Sequence, residues 1–295
     1  MKIINSPLRY PGSKASLSTY IEDFLSGNLL LGCHFFEMYA GGASLSLHLL
    51  SNQFIKKATL VEKDPLIYSF WKCLKYQPEE LIRLIQSVPI DILTWTKMQQ
   101  YLKVNKVNKS NLPEMALACL FLNRTCFSGI IDAGPIGGIN QQSKYSISCR
   151  FNKKTLIHSI KLISQFSNKF EVVLNDAIAY LQNNRARLKS CDCLVYVDPP
   201  YLQQGKKLYR YHYGIKDHQR LADFIRIQEF PWLVSYDDHS TIYDLFRGNK
   251  ILTLYLNYAA RQSKNAKELL ISNMYLPLSD SKYKANYLSK VKLIS

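Results

Sequence analysis

Asp198-Pro-Pro-Tyr201 places a carboxylate, a backbone carbonyl and an aromatic ring on one short turn. Its two consecutive prolines, Pro199 and Pro200, fix the backbone that carries them. The turn directly follows the apolar run Leu194–Val197, so it is expected at the carboxyl end of a sheet strand, where open α/β sheets bind ligands. Such a corner suits an exocyclic amino group on a flat heterocycle. In adenine, for example, the amino lone pair is delocalised into the ring and is a poor nucleophile. Hydrogen bonds from the amino protons to the Asp198 carboxylate and the Pro199 carbonyl would turn that lone pair toward an electrophile. Tyr201 would stack on the ring and hold it in line. A plain strand-ending turn is the alternative.

A second group of residues follows the run His34–Met38. Gly41 and Gly42 precede a helix starting near Ser44, and glycine there lets the backbone approach a nucleoside closely. Glu62 ends the next apolar run, 21 positions beyond Gly41, where a carboxylate can bind ribose hydroxyls. A tight turn and a surface carboxylate beside Lys63 are the competing readings. After the Asp-Pro-Pro-Tyr turn, Lys206, Lys207 and Arg210 alternate with Tyr209, Tyr211 and Tyr213. A loop that grips phosphates and stacks on bases has this composition, and so does a strand of alternating faces. Asn123 and Arg124 offer donors for bases or phosphates, or caps for the preceding helix. Asp176, after the run Phe170–Leu174, is a candidate helix N-cap. His48, on the apolar helix after the glycines, is expected to be structural.

These residues need a scaffold. Apolar runs at His34–Met38, Ala58–Val61, Phe170–Leu174, Leu194–Val197, Trp232–Ser235, Ile251–Leu256 and Leu269–Ser272 read as strands buried on both faces of a largely parallel sheet. Helical patterns at Leu45–Leu50, Asp176–Lys189 and Asp217–Ile227 alternate with them, giving an α/β domain with right-handed crossovers. Between about Leu66 and Phe166 the rhythm breaks. Pro78–Gln86, Asp91–Lys103, Pro113–Thr125 and Asn152–Phe166 look helical, the last with Asn152 as N-cap, while Ser128–Asn140 is rich in Gly and Pro. A helical insert between the second and third strands accounts for this. The lysine-rich Ser279–Ser295 reads as a loosely held tail.

The chain has 38 Lys and Arg against 22 Asp and Glu, a net charge of +16, which favours a polyanionic partner such as nucleic acid. Its 47% hydrophobic and 20% charged content excludes a disordered chain. No apolar stretch approaches a membrane span, and no signal peptide is read at the N-terminus. Seven scattered cysteines are expected as reduced thiols, in a cytoplasmic protein that holds no metal.

The Asp-Pro-Pro-Tyr turn resembles motif IV of the amino-group DNA methyltransferases, and the chain as a whole resembles the DNA adenine methyltransferases of the Dam type. Leu8-Arg-Tyr-Pro-Gly-Ser-Lys14 is similar to that family's N-terminal cofactor motif. Phe36-Glu-Met-Tyr-Ala-Gly-Gly-Ala-Ser44 is similar to its glycine-rich motif, and Phe121-Leu-Asn-Arg-Thr-Cys-Phe-Ser-Gly129 to the start of its target-recognition region. Their order is that of the α group. Two positions depart from the usual pattern: Ala43 stands where a further Gly is common, and Glu62 where Asp is.

The resemblance implies a Rossmann-like seven-stranded methyltransferase sheet. Residues 1–65 and 167–295 would form the S-adenosylmethionine-dependent catalytic domain, and 66–166 an inserted helical target-recognition domain. It implies methyl transfer from S-adenosylmethionine to N6 of an adenine flipped from double-stranded DNA, by a monomer of prokaryotic or phage origin. Cofactor contacts are implied for Tyr10, Lys14, Glu37, Tyr39, Gly41, Gly42, Glu62, Asp176 and Asp198. DNA contacts are implied for Arg9, Asn123, Arg124, Ser128, Lys144, Lys206, Lys207, Tyr209 and Arg210. Cytosine N4, RNA or a protein amide as substrate, and a DNA-binding module without catalysis, are the rival readings. Members that read GATC carry a hairpin after the Asn-Arg pair that Ser128–Asn140 and Tyr145–Phe151 do not plainly match.

Overall fold

The computed structural model describes residues 4–10, 12, 14–203, 205–257, 265–278 and 285–287. All seven expected strands form: β1 (His34–Met38), β2 (Lys57–Glu62), β3 (Phe170–Leu174), β4 (Cys193–Val197), β5 (Trp232–Asp237), β6 (Lys250–Asn257) and β7 (Asn265–Ser272). An eighth, β8 (Ala285–Tyr287), comes from the segment read as a tail, the rest of which lies outside the described residues. The sheet order is β3-β2-β1-β4-β5-β7-β6-β8. Pairs from β3 to β5 are parallel, and the β5–β7, β7–β6 and β6–β8 pairs are antiparallel. The fold is Rossmann-like α/β.

Period-2 alternation sends successive strand residues to two separate cores. Phe35, Leu60, Leu194, Tyr196, Leu233 and Leu270 pack on one face of the sheet. Phe36, Val61, Val195, Val197, Trp232, Val234 and Ile271 pack on the other. Burial on both faces is why the runs are almost continuously apolar. Each fully buried side chain of this size contributes about 1.5–3 kcal/mol.

Helices α1 (Ser18–Gly27), α2 (Ser44–Ser51) and α3 (Pro65–Tyr76) share the first core through Phe24, Leu45, Leu49, Phe70 and Trp71. The segment between β2 and β3 continues with α4 (Pro78–Ser87), α5 (Ile92–Gln99), α6 (Leu112–Thr125) and α7 (Lys153–Ser164), and its Leu81, Phe121 and Ile160 belong to the same core. Asp64 caps α3 by accepting from the Leu66 N–H, with Pro65 at the first position. Asn152 caps α7, as expected. The expected helix over Asp176–Lys189 divides into α8 (Ala177–Asn183) and α9 (Arg185–Ser190) around Asn184. With α11 (Ile215–Arg226) and α12 (Ser240–Leu245) they cover the second face. All seven cysteines are free. Among the described residues no helix is long and apolar enough to cross a membrane.

Candidate active site

Topology gathers the polar residues at one end of the sheet. Glu37 lies near the end of β1, Glu62 at the end of β2, and Asp198 one residue beyond β4. Because β7 runs antiparallel to β5, its early residues lie at the same end: Glu268 pairs with Asp237, the last residue of β5. A cleft opens there, and Tyr10, Lys14, Glu37, Tyr39, Glu62, Asp198, Pro200, Tyr209 and Arg210 are among its lining residues.

Lys14 organises the Asp-Pro-Pro-Tyr turn. Its Nζ lies 2.7 Å from Asp198 Oδ1 and 3.3 Å from Glu268 Oε1. It also donates to the Tyr201 hydroxyl at 3.1 Å and the Gly12 carbonyl at 3.2 Å. Asp198 Oδ1 accepts a second bond, from Ser235 Oγ at 2.9 Å. Burial alone would lower the Lys14 pKa, but Asp198 and Glu268 outweigh it and hold the ammonium well above its usual range. The resemblance assigns Lys14 to the cofactor's polar groups; in the structure its contacts are with Asp198 and Tyr201 of the Asp-Pro-Pro-Tyr turn, Glu268 and the Gly12 carbonyl. Pro11 of the expected Pro11-Gly12 turn, like Gln204 in the loop after Tyr201, lies outside the described residues.

The glycine loop is built around two carboxylates. Glu62 accepts from the backbone N–H groups of Gly41 at 2.9 Å, Lys63 at 2.8 Å and Asp64 at 2.9 Å. Glu37 accepts from the Ser46 N–H at 3.2 Å and from the Ser46 hydroxyl. Burial pushes both carboxyls up to about 7, against the pull of these hydrogen bonds. Tyr39 and Ala43 are in the left-handed region, with φ of 58° and 48°. That is the conformation glycine adopts without penalty, and it accounts for the glycine common in the family at position 43.

Gly41 and Gly42 do not line the cleft. The space beside Gly41 is filled by the Tyr10 ring and that beside Gly42 by Tyr10 Cβ, so the glycines bring Tyr10 onto the loop. Gly41 has φ 46°, and a Cβ there would lie 2.6 Å from Tyr10 Cε1. Gly41→Ala is therefore expected to lose about 1–3 kcal/mol of stability from the backbone alone, read by urea unfolding. An unchanged midpoint would contradict this packing.

The remaining expected site residues divide into two sets. Asp176 is the N-cap of α8, accepting from Ile178 and Ala179, and pairs with Lys63 at 3.1 Å; it does not line the cleft. Asn123 is fully buried. Its amide donates to the Arg9 and Gly129 carbonyls and accepts from the Arg9 N–H, which leaves no donor for a base. Arg124 Nε donates to the Pro7 carbonyl at 2.6 Å. Arg210 grips both Asp64 oxygens, at 2.8 and 3.0 Å, and the Leu102 carbonyl at 2.6 Å. These four side chains hold the protein together. His48, expected to be structural, pairs with Glu22.

Others face outward. Lys206 and Lys207 are exposed on α10 (Gly205–Leu208), a single helical turn where a loop or strand was expected. Lys144 is exposed, while Arg9 and Ser128 line a shallow groove with Phe127, Tyr145 and Arg150. The Tyr209 ring lies 5.8 Å from Tyr10 and 6.4 Å from Tyr201, edge-on to the latter. Sequence reasoning missed Glu268. Its only signal was a lone acid at the start of the apolar run Leu269–Ser272.

Residues 10–260 match the D12 class N6 adenine-specific DNA methyltransferase family. The chain belongs to that family. No curated protein matches it. Among solved structures, this methyltransferase is similar to a "putative methyltransferase" of Escherichia coli, with 12% identity, 89% of this chain and 86% of that one covered, and a TM-score of 0.36. A second is a "putative methyltransferase complexed with SAH", with 11% identity, 87% of this chain covered and a TM-score of 0.36, where the match spans about half (49%) of that chain. A third is a "putative methylase" of Haemophilus influenzae, with 13% identity, 86% and 89% covered, and a TM-score of 0.28.

Proposed function

We propose that this methyltransferase transfers the methyl group of S-adenosylmethionine to N6 of an adenine rotated out of a specific DNA sequence. The observation that carries the reading is the position of Asp198, fixed by Lys14 and Ser235, on the wall of the cleft that Glu37, Glu62 and Tyr10 also line. Buried carboxylates and aromatic rings fit a cationic nucleoside: Glu62 suits ribose hydroxyls and Tyr10 the flat base, with Glu37 beside them. The cofactor supplies a methyl on a sulfonium sulfur, already activated for transfer.

The chain's own residues then supply alignment. Asp198 and the Pro199 carbonyl accept from the amino protons and direct the lone pair; Tyr201, held at its hydroxyl by Lys14, presents its ring to the base. Rotating the base out costs a few kcal/mol, offset by these contacts. In this reading residues 66–166 read the target, and 1–65 with 167–295 do the chemistry. The exposed Lys206, Lys207, Lys144 and Ser128 and the half-buried Arg9 contact DNA, and Asn123 and Arg210 drop out of that set because their donors are already committed.

The test is nucleoside mass spectrometry on DNA from a host expressing the protein, together with sequencing of the modified positions. N6-methyladenine at one recurrent sequence is expected. N4-methylcytosine as the sole product would refute the adenine assignment, and no modified base with no melting shift by S-adenosylmethionine would favour a non-catalytic DNA binder.

A further inference from the structure

Lys14 is buried between two carboxylates, and only one of them belongs to the Asp-Pro-Pro-Tyr turn. The other, Glu268, is 3% exposed. Its Oε1 stands 3.3 Å from Lys14 Nζ as an ion pair and has no aligned hydrogen bond. A buried carboxylate oxygen held only by an ion pair is costly to the fold, and Asp198 alone would neutralise Lys14.

The sum of charges shows what Glu268 adds. Lys14 with Asp198 is neutral; with Glu268 the cluster carries one net negative charge. As methyl transfer proceeds, the bond from N6 to carbon forms while the bond from carbon to sulfur breaks, its electron pair remaining on sulfur. N6 becomes cationic and then sheds a proton. A neutral cluster that took this proton would become a buried cation, whereas a negative one becomes neutral. The same charge favours the transition state in which positive charge grows on N6.

We propose that Glu268 is a positioning residue that acts through Lys14. Ionised, it makes the cluster one charge more negative than Lys14 and Asp198 alone, so that Asp198 stabilises the amino group as it turns cationic and accepts the proton it releases. This rests on the amino-methyltransferase reading above. The other ionisable groups facing the cluster are Glu37 from β1, Tyr196 from β4, Asp237 from β5, and Tyr201 and Tyr209 from the segment that follows β4. Lys14 is the one cation among those named. Burial pushes Glu268 up to about 7, with Lys14 pulling against it, which suits a cluster that takes up and gives off a proton near neutrality.

The test compares the full chain with Glu268→Gln and Glu268→Asp. Wild-type single-turnover transfer should show an acid limb near pH 7. In Glu268→Gln that limb should move down by more than one pH unit and the plateau rate should fall at least tenfold, with S-adenosylmethionine affinity within about threefold by calorimetry. In the protein without ligands, carboxyl-carbon NMR should show one fewer group titrating near 7. Glu268→Asp keeps the charge and should leave the limb in place, and it carries the test if the Gln variant fails to fold. An unmoved limb in the Gln variant, an equal shift in both variants, or a limb displaced in the Asp variant alone would overturn the proposal. Absence of any methylation by the wild-type protein would instead overturn the reading on which it rests.

Discussion

Asp198→Ala is expected to lower single-turnover methyl transfer by about a thousand-fold or more while leaving DNA affinity within a few-fold. Removing one preorganised electrostatic partner of a reacting group typically costs 10²–10³ in rate, and in the proposed mechanism Asp198 has two tasks, orienting the amino group and taking its proton. The fold should tolerate the loss, because Lys14 keeps Glu268, the Tyr201 hydroxyl and the Gly12 carbonyl. Gel-shift affinity and quench-flow methylation on the same duplex separate the two effects. Methylation by the variant at the wild-type rate would remove Asp198 from the chemistry.

Lys14→Met should be damaging in a different way. It leaves Asp198 and Glu268 facing each other without the cation that both contact, and breaking a buried pair by removing one partner costs roughly 3–5 kcal/mol. To relieve the repulsion the pair holds a proton, and a protonated Asp198 no longer accepts from the amino group. Urea unfolding should show the loss, and transfer at neutral pH should fall with it. The double variant Lys14→Met/Glu268→Gln should regain part of the stability and little of the activity. If the double variant is no more stable than the single one, the repulsion does not exist.

Much of the fold was legible because burial on both faces writes itself into the sequence: seven apolar runs gave seven strands, with bounds shifted by at most a few residues. The eighth strand was hidden in a lysine-rich stretch that lacks the apolar signal. The place of Asp198 was legible because the apolar run Leu194–Val197 marked the strand that ends just before it. Glu268 was not, since its role depends on β7 turning antiparallel and bringing its early residues beside the end of β5, a fact no local pattern encodes. Asn123 shows the reverse failure. A polar residue beside an arginine reads as a surface donor, but the flanking Phe121 and Leu122 meant a buried helix turn, where an amide must satisfy backbone instead. The glycines were placed well and explained incompletely: what approaches them is Tyr10 of the same chain.

The Trp71 indole of α3 donates to the Gly41 carbonyl at 2.8 Å. One bolt therefore joins the first helix after β2 to the glycine loop. Anyone building chimeras, exchanging the region between β2 and β3, proposed to read the target, for a relative's, has to place the first splice beyond Tyr76. A cut at residue 65 would import a foreign helix under the loop, and the hybrid would pay in the pocket for what it gained in recognition.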